Sequence, residues 1–216
     1  MEIISQHANC LDIFNPAFDR QPKIVIVGAG IGCGTTFALA QMGFNDITVI
    51  DFDEVELKNT SSQLYKQEDI GELKTYALQE NVKAFTGVEI KAICKSFEPA
   101  DVKDADIVIA AVDVMSVRKK IIEACPIKTK RFIDCRMMSM AFEIYSYIPA
   151  FEKDIYLQSR FPDEEATSVA CTNKSSSFNT FAIAAFVTRF VVIVKDEESI
   201  LNKSQLTVDL SNLIIA

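Results

Sequence analysis

The chain has 216 residues, 49% of them apolar, so it can bury a sizeable core within one α/β domain. A formal charge of -8 argues against an electrostatic grip on nucleic acid or on an anionic membrane surface. The six cysteines include no C-x-x-C pair, which removes the common zinc spacings and fits a reducing, cytoplasmic compartment.

Residues 1–22 hold Asn15-Pro16 and Gln21-Pro22 and read as a lead-in segment. The opening MEIISQHANC lacks a basic stretch followed by an apolar core, so no secretory leader is read there. KIVIV (23–27) is a continuous β-branched run, as expected for a strand buried on both faces. It runs into a glycine cluster, then a helical pattern to about Met42 with Gly43 as a C-terminal stop. DITVID (46–51) is the next strand, which completes a βαβ unit. A long polar connection, 51–71, precedes a helix over 72–85. Buried strands follow at 88–94 and 106–112, then a helix over 114–125 and a strand at 131–135. The expected fold is therefore a doubly wound, Rossmann-like, mostly parallel sheet over 23–135. Residues 136–216 behave differently. MAFEIYSYIP (140–149) alternates like a half-exposed antiparallel strand, 162–177 is a Ser-rich loop, 178–195 a buried helix, and QLTVDLSNLII a closing strand. The 178–194 stretch carries Asn179 and Arg189 and is too short and too interrupted to span a bilayer.

The glycine cluster holds Gly28, Gly30, Gly32 and Gly34 between a buried strand and a helix. Glycine lets backbone amides approach phosphate oxygens, and a helix start binds anions. Asp51 closes the following strand and is placed for a ribose hydroxyl. A tight turn that binds nothing is the alternative. A strict G-x-G-x-x-G would need glycine at position 33, which is Cys33, so Gly32 can serve as the third glycine of a shortened turn.

From here the residues carry a resemblance. DFDEVELKNTSSQ (51–63) followed by IGELK (70–74) resembles the D-x-D-x-V-x-x-x-N-x-x-R-Q … G-x-x-K signature of the ubiquitin-activating, ThiF and MoeB adenylyltransferases. AVDVMSVR (111–118) resembles their second signature, an Asp followed five residues later by Arg. The resemblance implies ATP and Mg²⁺, and a reaction in which the C-terminal carboxylate of a small ubiquitin-like or sulfur-carrier protein attacks the α-phosphorus. It also implies a homodimer. On this basis Gly28, Gly30, Gly32, Asp51, Asp53, Asn59, Gln63 and Lys74 would line the nucleotide site. Lys74 would neutralise phosphate charge, unless it is a solvated helix lysine. Asp113 would hold Mg²⁺, and an N-cap role competes with that. Asn59 could equally cap a short helix. Cys171, in ACTNKSSSF, matches the acceptor cysteine of the family's crossover loop, or is a loop cysteine without chemistry.

The sequence also departs from the pattern. Ser62 stands where the family has arginine, and serine cannot replace its charge or reach. Arg136 in FIDCRMM follows a strand at the ligand-binding edge and is the candidate replacement, with an ion-paired arginine as the other reading; Arg20 is the second candidate. Tyr156 and Ser159 occupy the two places of the family's zinc cysteines, so no zinc is expected. These departures leave a second class open: a non-catalytic nucleotide-binding subunit, for ATP or NAD, that works with a partner. A nicotinamide oxidoreductase would need an acid or base for hydride transfer, and the one histidine, His7, lies outside the expected core.

Overall fold

The computed structural model describes residues 5–17, 21–138, 140–159, 176–193, 205–212 and 214–215. Cys171 and Arg20 lie outside them, as do most of the 162–177 loop and the end of the 178–195 helix.

β1 (Ile24–Val27), α1 (Gly32–Gln41) and β2 (Ile47–Asp51) form the expected first βαβ unit. Two short 3-10 turns, Leu57–Ser61 and Gln67–Asp69, occupy the polar connection. Then come α2 (Lys74–Thr86), β3 (Lys91–Cys94), a 3-10 turn at Pro99–Val102, β4 (Ile107–Ala110), α3 (Met115–Ala124) and β5 (Arg131–Met138). The second half adds β6 (Ala141–Tyr147), α4 (Pro149–Gln158), α5 (Ser177–Ile193), β7 (Gln205–Asp209) and β8 (Ile214–Ile215).

All eight strands join one sheet in the order β3-β2-β1-β4-β5-β6-β7-β8. Pairings are parallel from β3 through β5 and antiparallel from β5 onward. The alternating side chains of β1 show why the sheet must be covered twice. Ile24 and Ile26 join the core beneath α1, α2 and α5, while Val25 and Val27 join the one beneath α3 and α4. Burying each such side chain contributes roughly 1.5–3 kcal/mol.

Five expectations change. β5 runs on past residue 135 to Met138, so Arg136 lies inside the strand, opposite Glu143 of β6, rather than after it. KAIC in β3 read as a buried strand, yet it is the sheet's parallel edge and only half-buried. The C-terminal run is two strands with a turn at Leu210–Asn212. Helix α4 was not anticipated; Pro149 opens it, and the Glu152 carboxylate accepts the Ile148 N–H at 2.6 Å. The lead-in also contributes to the core: Phe14 is buried and stacks on Phe44 with ring centroids 4.0 Å apart, and His7 is buried near Gly43. No helix of the described residues is long and apolar enough to cross a membrane.

Candidate functional site

Strand order reverses between β1 and β4, because β1 leads to β2 on one side and β4 to β5 on the other. Ligands of open α/β sheets bind in the crevice beyond the strand ends at such a point. The glycine turn lies there. Gly28 has φ +100°, and a Cβ would collide with the carbonyl oxygen of Ala111, just past the end of β4. Gly32 opens α1, where a Cβ would crowd Ile26 at 3.1 Å and Ala111 at 3.2 Å; this is the close helix–strand packing of a third glycine. Over Gly30 the nearest atom to a Cβ is Gln63 Nε2 at 3.8 Å, so space remains above the turn. The amides of Gly30 and Ile31 have no acceptor among the described residues.

Cys33, at the position of the missing glycine, points into the core. Its sulfur accepts the Leu64 N–H at 3.2 Å, and burial pushes its thiol up to about 12. The substitution therefore ties the turn to the 51–71 connection and leaves an inert thiol. Tyr65 strengthens the same tie by donating its hydroxyl to the Ala29 carbonyl at 2.8 Å. Burial and nearby Cys33, Asp51, Asp69 and Asp53 raise the Tyr65 pKa well above its ordinary value, so it stays a donor.

Asp51 ends β2 and receives two backbone amides, Ala29 N–H at 2.6 Å and Asp53 N–H at 2.8 Å. A carboxylate has about four acceptor sites, so two remain for ribose hydroxyls. Next along the chain, Asp53 is half-exposed and pairs with Lys74 Nζ at 2.8 Å. Lys74 is only 7% exposed and is the first residue of α2. A lysine at a helix N-terminus is opposed by the helix dipole, and burying an ammonium is costly. Among the described residues Asp53 is its one side-chain partner, which leaves two of the ammonium's three donors for another anion. The solvated-lysine alternative is thus not what the structure shows.

Asn59 is buried, and its Oδ1 accepts the Glu56 N–H at 2.8 Å, so it does cap a 3-10 turn while its amide nitrogen stays available. Gln63 faces the glycine turn, and its buried Oε1 has no hydrogen-bond partner. Asp113 lies two residues beyond the carbonyl that abuts Gly28 and is exposed. The cap of α3 is Val114, without a side-chain bond, so the capping alternative for Asp113 is not realised. Among the described residues no group of three His, Cys, Asp or Glu side chains forms a metal cluster. A magnesium site completed by phosphate oxygens needs only one or two carboxylates, and Asp113 fits that demand.

Arg136 does not match the role offered for it. It is 5% exposed, and each guanidinium nitrogen donates within the protein: Nε to Asp134 at 2.8 Å, Nη1 to the Ser159 carbonyl at 2.9 Å, Nη2 to Ser159 Oγ at 3.1 Å. Its carbon lies 4.0 Å from the centroid of the Tyr145 ring. The ion-paired reading is the one realised, because Asp134 on the same face of β5 draws the guanidinium inward. At position 62 the serine is buried, and its carbonyl accepts Thr180 Oγ1 from α5 at 2.6 Å. Sequence reasoning missed Tyr65, Asp134 and the grip of Arg118 on the Val112 carbonyl, since each depends on a contact that no residue pattern records and only the folded chain brings about.

The ThiF family matches residues 19–213 of the chain. Over 136 residues the chain is 29% identical to the NEDD8-activating enzyme E1 catalytic subunit of Arabidopsis thaliana, covering 56% of this chain and 29% of that protein. Over 113 residues it is 30% identical to the adenylyltransferase and sulfurtransferase MOCS3 of Caenorhabditis briggsae, covering 49% and 28%. A 31% match over 114 residues is to the tRNA threonylcarbamoyladenosine dehydratase of Haemophilus influenzae, covering 49% and 44%. The matches span less than half the length of these relatives. Among solved structures, PaaA superposes with TM-score 0.76 at 18% identity, covering 100% of this chain and 82% of that one. E. coli MccB with ATP gives 0.70 at 20% identity, covering 100% and 68%. At those identities the likeness is one of fold.

Proposed function

This chain belongs to the ThiF family, and from that premise we propose that it is an ATP-dependent adenylyltransferase acting on the C-terminal carboxylate of a small ubiquitin-like or sulfur-carrier protein. The observation that carries the reading is Lys74: a buried ammonium at a helix N-terminus, with one of its three donors on Asp53, beside a glycine turn at the sheet's reversal point. Such a charge costs stability unless an anion is its purpose.

In this reading residues 1–216 form one nucleotide-binding domain. The amides of the glycine turn and the ammonium of Lys74 hold the triphosphate, Asp51 orients the ribose, and Asn59 and Gln63 offer amide donors. Asp113 would hold magnesium, which offsets the charge of the departing pyrophosphate. A carboxylate oxygen of the carrier bonds to the α-phosphorus, and the α–β bridging P–O bond breaks with its electron pair leaving on pyrophosphate. Lys74 stabilises the charge that grows there. A cytoplasmic homodimer and a covalent step at Cys171 belong to the same proposal.

The test is ATP–pyrophosphate exchange with small carrier proteins from the same genome. Exchange that needs both carrier and Mg²⁺, and disappears in Lys74→Ala, is the expected result. A second reading, a nucleotide-binding subunit without adenylation, is favoured by one observation: Ser62 brings no charge and Arg136 is committed to Asp134 and Ser159. Mg-ATP binding without exchange for any carrier would select it.

A further inference from the structure

We propose that Asp134, acting through Arg118, is a positioning residue that fixes the turn carrying Asp113. This rests on the reading of Asp113 as the magnesium ligand, and the experiment below separates the two.

Asp134 is 0% exposed. One carboxylate oxygen accepts from Arg118 Nη1; the other accepts from Arg136 Nε at 2.8 Å and from the Tyr156 hydroxyl at 2.9 Å. Arg118, also buried, spreads its planar fork across two strands. Nη1 donates a second bond to the Cys135 carbonyl at 2.8 Å, and Nη2 donates to the carbonyl of Val112, the residue before Asp113. In the sheet register Asp134 lies opposite Ala110, so it stands level with the end of β4, where the Asp113 turn begins.

The turn needs such a hold. Ala111 N–H is tied to the Val27 carbonyl at 2.8 Å, but α3 begins at Val114 without a side-chain cap. On its outward side the turn is held by Arg118 through the Val112 carbonyl. A planar fork suits this, since Nη1 and Nη2 together reach the Asp134 carboxylate and the Cys135 and Val112 carbonyls, a spread that the single nitrogen of a lysine does not match. Two guanidinium groups around one carboxylate leave a buried excess of positive charge, a poor device for stability, because apolar replacements of such clusters are often as stable or more so. What the cluster does provide is a rigid link from β5 to the Val112 carbonyl, and supporting contacts of this type commonly tune metal affinity.

The experiment compares Arg118→Lys, which keeps the charge but removes the fork, with Asp134→Asn, which keeps the shape but removes the charge, and adds Asp113→Ala alone and combined with Arg118→Lys. Amide hydrogen exchange is read at residues 112–116 and at β1, alongside the Mg²⁺ concentration for half-maximal pyrophosphate exchange. The expected result is faster amide exchange at 112–116 with β1 unchanged, and a Mg²⁺ requirement raised roughly tenfold or more. The combined variant should be no worse than Asp113→Ala alone, as for residues acting in one chain of contacts. If either single variant fails to fold, the other supplies the same readouts. Unchanged amides at 112–116, or losses that add in full on Asp113→Ala, would overturn the proposal. Should the wild-type protein show no Mg²⁺-dependent exchange at all, the magnesium reading of Asp113 fails; the amide measurement still decides whether Arg118 and Asp134 hold the turn.

Discussion

Two charged clusters stand at the carboxyl edge of the same sheet, and the fold treats them in opposite ways. Around Lys74 the cation is buried, its carboxylate partner Asp53 is half-exposed, and two ammonium donors are left over. Around Asp134 the carboxylate and both arginines are buried, and every guanidinium nitrogen but Arg118 Nε has a protein acceptor. The first cluster is open on one side and suited to receive an anion. The second is closed and suited to hold backbone in place. Burial and charge alone would have marked both as sites; the count of unsatisfied donors separates them.

The largest effect expected from this contrast is on folding. Asp134→Ala strips the carboxylate from two buried guanidiniums and should cost about 3–5 kcal/mol in denaturant unfolding, whereas Lys74→Met should cost less than about 1 kcal/mol, its partner being solvated. Equal losses would break the comparison. Next come the glycines. Gly28→Ala, at φ +100° against the Ala111 carbonyl, should cost about 1–3 kcal/mol and abolish nucleotide binding. Gly30→Ala faces open space and should stay within roughly 0.5 kcal/mol. Restoring the family's arginine with Ser62→Arg is a third test. The sequence makes it look like a rescue, but the buried serine beneath Thr180 leaves no room, so a loss of about 1–3 kcal/mol without gain in ATP affinity is expected by calorimetry.

The smallest effect is on pH dependence. Burial pushes the thiols of Cys33, Cys125 and Cys135 from an ordinary 9.0 up to about 12. Their folded pKa exceeds the unfolded value, so this stability is present below pH 9 and is lost as pH rises toward 12. Between pH 8 and 9 the three together should remove roughly 1 kcal/mol, read from urea midpoints. Stability that rises over that interval would contradict the burial of these groups.

Much of the parallel half was legible because its signals are local. KIVIV, the glycine run and DITVID each specify an element by its own composition, and the spacing of Asp51, Asp53 and Lys74 places three candidate site residues on neighbouring strand and helix ends. β3 misled because the short apolar run Ala92-Ile93-Cys94 looks the same at a sheet edge as at its centre. Helix α4 was hidden by Pro149, which ends a strand and opens a helix with equal ease. In the site, Tyr65, Arg118 and Asp134 act through partners 36, 6 and 22 positions away, respectively at Ala29, Val112 and Tyr156. No periodicity records such pairings. Arg136 misled twice: it lies within β5, opposite Glu143 of β6, rather than after the strand, and its neighbour Asp134 decided where its charge went.

The central claim is that Lys74 is kept buried for the phosphates of ATP. Isothermal titration of the protein with Mg-ATP, with NAD and with Mg-ATP on Lys74→Ala tests it most directly. The account requires saturable Mg-ATP binding, weaker or no NAD binding, and affinity reduced by at least about tenfold in a Lys74→Ala variant that remains folded. Tighter binding of NAD than of Mg-ATP, or an unchanged Mg-ATP affinity in Lys74→Ala, would contradict it.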